Sequence, residues 1–198
     1  MYFYYAGRRA ARLTCRAFSL VRDGIPDGEY PPPNHVAWLD LEELACLRRA
    51  YVFGRTLKCN EPSHTENTPS SRRAETLLRY LTPQHTLQDP YMAAVLIALT
   101  QSQRSTSAEQ YQERSDDNGT YWRAVLMVTS HKQRCVYIYN TNISAEFLER
   151  FDRPDCSPSI TNAGLTIECR QLQLQEYETF PRRLEVSLRE AYYTPRPR

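Results

Sequence analysis

Two carboxylates set side by side ahead of an apolar run are the first arrangement with chemical meaning: Asp116 and Asp117 precede the segment WRAVLMVT at 122–129. Acids at strand ends hold divalent cations that activate water for phosphodiester cleavage, so this pair is the candidate acidic site of a nucleic-acid-acting enzyme. The following Asn118 and Gly119 support the blander reading, a solvated turn before a strand, which we favour. Nucleophilic catalysis needs a base within hydrogen-bond reach of the nucleophile and a group to orient that base. Cys135 follows His131 across what reads as a hairpin loop, so the two can meet, but nothing else marks a dyad. There is no Gly-flanked Ser, and none of the six glycines falls in a phosphate-cradling spacing. Cys46, Cys59, His64 and His85 are metal-ligand types in one region, yet only Cys59 and His64 are close, and structural zinc sites are built from two close pairs. We therefore expect no metal and no cofactor, and lean away from an enzyme.

Binding chemistry is more evident than catalysis. Residues 1–22 hold Arg8, Arg9, Arg12, Arg16 and Arg22 with no acid, behind an aromatic start of Tyr2, Phe3, Tyr4 and Tyr5. Guanidinium pairs phosphate or carboxylate, and aromatic rings stack or pack, so Tyr4, Tyr5, Arg8, Arg9 and Arg12 are candidate partner-binding residues. Arg also dominates elsewhere: Lys58 and Lys132 are the chain's only lysines, which reads as a compositional bias. The net charge of +2 over 198 residues sets up no global field for a polyanion. Six cysteines without a secretory signal before them read as free thiols in a reducing compartment, cytoplasm or nucleus. The basic, acid-poor start also has the character of a mitochondrial transit segment. Alternation at Leu13, Cys15 and Ala17 favours an edge strand instead.

The elements that must position these residues follow from periodicity. Over 89–103, DPYMAAVLIALTQSQ, Asp89 caps a helix, Pro90 fits its first turn, and 92–99 is apolar on every side. Such a helix must be buried on every side, and it is too short for a bilayer, so its cover is protein and no membrane partner is expected. Asp40 caps an earlier helix with Glu43 in the capping-box position and Leu41, Leu44, Ala45, Leu47, Tyr51 and Val52 on one face, ended by Gly54. Ala74, Leu77, Leu78 and Leu81 predict a helix over 72–81. The runs 122–129 and 135–141 predict a hairpin turning at HKQR. Ser144 caps a helix with Phe147, Leu148 and Phe151 inward. Leu165, Ile167 and Cys169 alternate into a bulged strand reaching 174, and a last helix covers 181–193. Residues 55–71 and 104–120 read as long loops. The expected fold is one α+β domain over 1–198. Three N-terminal helices pack on a small mixed β-sheet, with a β-hairpin and a strand–helix–strand crossover, as an α/β sandwich.

From Asp89 onward, DPYMAAVLIALTQSQR and CVYIYNTNISAEFLERFDRP resemble a group of small, uncharacterised fungal proteins that share a DPY-type buried helix, a hydrophobic hairpin and an FLxxFDRP-like helix end. The resemblance covers about residues 89–190. It implies a eukaryotic, intracellular, single-domain protein and carries no activity or functional residue. The helix–strand–strand–helix–strand order is also loosely similar to the restriction-endonuclease-like core, whose motif places an acid before one strand and an acid-x-lysine triplet on the next. Here the second strand reads VYIYNTN, with neither acid nor lysine, so the site as that family builds it is missing.

These readings lead to a non-catalytic intracellular module that binds a protein partner. Its surface is the sheet edge near 165–174, with Ile167 and Cys169, or the N-terminal aromatic arm. The alternative is a nucleic-acid-acting enzyme or degenerate nuclease using Asp116 and Asp117. Nothing in the sequence indicates an oligomeric state.

Overall fold

The β-hairpin at the centre of the chain forms where the β-branched and aromatic residues are densest. Strands β5 (Tyr121–Ser130) and β6 (Cys135–Ser144) pair antiparallel in unbroken register from Tyr121↔Ser144 to Ser130↔Cys135, and the four residues HKQR make the loop, as expected. The structure is a computed structural model that describes residues 1–18, 36–54, 69–110, 121–155 and 164–193. It is a mixed α and β protein with two sheets and, among the described residues, five α-helices.

Before the hairpin come β1 (Tyr2–Tyr5), β2 (Arg8–Arg12), β3 (Arg16–Phe18), β4 (Val36–Asp40), and helices α1 (Leu41–Phe53), α2 (Pro69–Leu81) and α3 (Pro90–Gln110). After it come α4 (Ala145–Asp152), β7 (Glu168–Gln173) and α5 (Phe180–Tyr193). The main sheet has the order β3-β4-β5-β6-β7. Among the described strands only the β4–β5 pair is parallel, and helices α1 to α3 lie in the connection between those two strands.

Two details depart from the sequence reading. Strand β4 was not expected, because a five-residue run that is apolar on both faces has no period to distinguish it from a helix start. Val36 and Ala37 are fully buried, and Asp40 ends the strand and caps α1 at once. The expected strand–helix–strand crossover is also absent from its predicted place: α4 joins β6 to β7, and these pair antiparallel. The parallel connection is the earlier one, from β4.

Side chains alternate across the sheet. One face presents Ala37, Leu39, Ala124, Leu126, Val128, Cys135, Tyr137 and Tyr139 to α1 and α3. The other presents Val36, Val125, Val136 and Ile138 to Leu184, Leu188 and Ala191 of α5. Helices therefore lie on both faces, and the three helices expected at the N-terminus follow four strands, β1 to β4.

Helix α3 shows why the first residues matter structurally. Val95, Leu96, Ala98 and Leu99 are at or near zero exposure, and Ile97 on a further side joins Ile143 and Leu148. The sheet covers one side, Leu148 of α4 another, and the N-terminal hairpin β1–β2 with its flanking residues a third: Met1, Phe3 and Leu13 pack into the core with α3. The Gln101 side-chain amide donates to the Tyr4 carbonyl at 3.0 Å and accepts from the Tyr4 N–H at 3.0 Å, as a neighbouring strand would. Phe3 meets Phe151 of α4 edge to face at 5.6 Å, and the Ala6 N–H donates to the Phe151 carbonyl at 2.6 Å.

Helix ends match their residue chemistry. The Asp40 side chain accepts from the Glu43 N–H, Ser144 from the Phe147 N–H, and Gly54 closes α1 in the left-handed region at φ 60°. Helix α2 is less buried than its pattern predicts, with Leu77 and Leu81 exposed. Residues 69–71 open α2 and 104–110 continue α3, so the expected long loops are shorter there; their remainders lie outside the described residues. No described helix is long and apolar enough to cross a membrane.

Candidate functional site

Three places gather polar or chemically capable residues: the β7 edge, the loop between β5 and β6, and the N-terminal hairpin with the cleft beside it. The β7 edge is built by register. The Leu174 N–H donates to the Arg134 carbonyl at 2.9 Å, and Cys135 is paired with Gln173, Tyr137 with Gln171, and Tyr139 with Cys169. Hydrogen-bonded and non-hydrogen-bonded pairs alternate in an antiparallel ladder. Leu172, Arg170 and Glu168 therefore turn their backbone groups to β6. Cys169, Gln171 and Gln173 turn their N–H and C=O groups outward, where no described strand pairs with them. Cys169 is exposed as a residue, and Ile167 is half-buried against the core beneath α3, so of the two predicted edge residues only Cys169 is free surface.

Beneath this edge lies a row of phenols and thiols. Tyr139 donates to the Leu87 carbonyl at 3.1 Å, and Tyr137 donates to Gln133 Oε1. Burial, reinforced by Cys135, pushes the Tyr137 phenol up to about 12, and burial reinforced by Cys169 raises Tyr139 further. Desolvation raises the Cys169 thiol, because its sulfur lies on the Tyr139 side of the strand; the Tyr139 hydrogen bond offsets part of that rise. Burial thus favours the protonated forms of Tyr137, Tyr139 and Cys169.

The β5–β6 loop brings His131 to Asp40, with Nε2 at 3.2 Å from Oδ2. The same carboxylate accepts from Thr129 Oγ1 at 2.9 Å, while Glu42 accepts from Ser130 Oγ and from the N–H groups of His131 and Lys132. Each acceptor is committed to fastening the start of α1 to the hairpin loop. His131 is thus paired with Asp40, and Cys135 contacts Gln133 instead, so the conceivable Cys135–His131 dyad is not formed. Among the described residues no three His, Cys, Asp or Glu side chains gather as metal ligands. Cys46 is disulfide-bonded, which corrects the expectation of free thiols at that position; Cys15, Cys135 and Cys169 are free. Asp116, Asp117, Cys59 and His64 lie outside the described residues.

The N-terminal segment was expected as an arm or edge strand. Residues 16–18 do form an edge strand on β4, and residues 2–12 form a docked hairpin. Its turn, Ala6–Gly7, has φ of 51° and 69°, the two positive values of a type I′ turn. Tyr5 and Arg8 sit beside this turn and are exposed. A bulge between Phe3 and Tyr4 leaves Ala10 unpaired, so Tyr4 faces Arg9 and Tyr2 faces Arg12. Without that extra residue Arg9 and Arg12 would point to opposite faces; with it they share the face of Tyr2 and Tyr4.

Next to it opens a cleft of about 320 Å³ lined by Arg12, Leu13, Thr14, Cys15, Arg16, Trp38, Leu39 and Glu43. Arg16 stacks over the Trp38 ring at 5.1 Å, and burial raises the Cys15 thiol. Sequence reasoning missed this cleft because Trp38 belongs to the unexpected β4. The signal available was a Trp inside the short apolar run 36–39, between His35 and Asp40.

No family model, curated protein or solved structure matches this chain.

Proposed function

We propose that the chain is a non-catalytic protein-binding module that captures an extended segment of a partner protein along β7. The observation that carries this reading is the row of outward backbone groups on Cys169, Gln171 and Gln173, a ready template for strand addition. Main-chain hydrogen bonds supply affinity in that mode, and alternate side chains of the incoming strand meet Cys169, Gln171 and Gln173. The protonated Tyr137 and Tyr139 phenols and the Cys169 thiol beneath the edge support a surface that binds rather than reacts. The free thiols Cys15, Cys135 and Cys169 support an intracellular setting, cytoplasmic or nuclear, and the Cys46 disulfide weighs against it. The likeness of residues 89–190 to the fungal group is part of the same proposal and adds no site.

The test is Gln171→Pro. Proline there removes one outward N–H and leaves the β6–β7 bonds intact, because the inward partners are Leu172, Arg170 and Glu168. Capture of partners from the native cell extract should be lost, while far-UV circular dichroism stays unchanged. Capture equal to that of the wild type refutes strand addition at this edge.

A further inference from the structure

The hairpin's inner face docks on the domain, and its outer face leaves Tyr2, Arg9 and Arg12 exposed. Phe3 on the inner face packs on Phe151, and Gln101 clamps the backbone of Tyr4, so docking is complete without the outer side chains. On the outer face the bulge sets Tyr2, Tyr4, Arg9 and Arg12 together. Every residue of β2 is exposed, Tyr2 is 41% exposed, and the Arg9 guanidinium lies over the Tyr2 ring at 4.5 Å. The row continues through Arg12 into the cleft, where Arg16 covers Trp38.

Among the described residues no carboxylate forms an ion pair with Arg9, Arg12 or Arg16. Residues 1–18 contain no acid, whereas Arg48, Arg104, Arg170 and Arg189 each meet a carboxylate. Glu43 is the one carboxylate among the cleft-lining residues. The strip therefore alternates unneutralised cations with rings, Tyr2 and Tyr4 standing about 7 Å apart at two strand residues of about 3.3 Å each.

We propose that this strip, from Tyr2 and Arg9 through Arg12 to Arg16 and Trp38, binds single-stranded nucleic acid. Phosphates would pair with the guanidiniums, and unpaired bases would stack on the tyrosines and on the Trp38 side of the cleft. A duplex hides its base faces and could use only the cations. An acidic peptide would likewise leave the rings without stacking partners. This site is separate from the β7 edge and stands or falls independently of strand addition there.

The experiment measures fluorescence anisotropy of a labelled oligothymidylate, about a dozen nucleotides long to match site sizes of about 4–16, with the full chain. Double reversal Arg9→Glu with Arg12→Glu should weaken binding at least tenfold and flatten its salt dependence between about 50 and about 200 mM. Tyr2→Ala should weaken it about tenfold without changing the salt slope. The matched double reversal Arg73→Glu with Arg79→Glu, on exposed positions of α2, should leave it within twofold. Circular dichroism confirms that each variant is folded. The proposal is overturned if the wild type does not bind the oligonucleotide, if the α2 control loses as much as the strip variant, or if Tyr2→Ala has no effect. It is equally overturned if polyglutamate of matched charge competes as well as unlabelled oligonucleotide, which would identify an acidic protein as the ligand.

Discussion

Asp89 makes the sharpest test of how this fold is held together. It opens α3 with Oδ1 accepting the Tyr91 N–H at 2.9 Å, while Oδ2 meets Arg48 of α1. The Asp89 side chain is 2% exposed and that of Arg48 is 17% exposed, so the pair is withdrawn from water and ties the two helices on one sheet face. Breaking a buried pair costs about 3–5 kcal/mol, because the surviving charge is left in a poor solvent. In Arg48→Met the surviving carboxylate keeps its cap bond and the favourable end of the helix dipole, worth about 0.3–1 kcal/mol, which places the loss near 3 kcal/mol. In Asp89→Asn the amide oxygen preserves the cap and Arg48 can turn toward solvent, which places the loss near 2 kcal/mol. The double variant removes both charges and should cost about 3 kcal/mol rather than the sum, a coupling of about 2 kcal/mol. Urea unfolding followed by far-UV circular dichroism reads all three, and the melting temperature of Arg48→Met should fall by about 6–12 °C for a chain of this size. Single losses below about 1 kcal/mol, or a double loss equal to the sum, would refute the claim that this pair acts as a buried unit.

Two further outcomes follow from the turn and from the phenol row. Ala6 holds φ 51° in a turn that prefers Asn-Gly, so Ala6→Asn should stabilise the protein by about 0.5–1 kcal/mol; thermal melting reads this, and a loss of stability would overturn the turn assignment. Tyr137 keeps its proton in the folded state up to about 12, whereas the unfolded phenol ionises near its ordinary value of about 10. The folded state then binds more protons across that interval, so stability is intact below pH about 10 and falls as pH rises toward about 12. Tyr137→Phe should flatten that fall in denaturant titrations over the same range, and an unchanged slope would show that the phenol is not the group responsible.

Local chemistry made much of the fold legible. Asp40 and Ser144 announce their helices because an N-cap depends on residues three apart, and Gly54 ends α1 for an equally local reason. The HKQR loop and its flanking strands could be read because two long runs of strong β formers, 122–129 and 135–141, lie on either side of a four-residue turn. Strand β4 could not, because burial on both faces erases its period. The crossover was misplaced because nothing local says whether the strand after α4 runs parallel or antiparallel to β6.

The candidate surfaces divide along the same line. Sequence alone established that the start is basic and aromatic, that α3 needs cover on every side, and that Cys169 belongs to a strand, since composition and short-range period carry those facts; Ile167 was expected in the same strand, but β7 begins only at Glu168. Tertiary structure decided that the aromatic start is itself the cover for α3, through a Gln101–Tyr4 clamp between residues 97 apart in sequence. It also decided that the bulge turns Arg9 and Arg12 to one face, that β4 places Trp38 beneath Arg16, and that Cys169, Gln171 and Gln173 send their backbone groups outward. Each of these depends on which distant strand or helix an element meets and in which register. A shift of one residue in such a pairing exchanges the buried face for the exposed one.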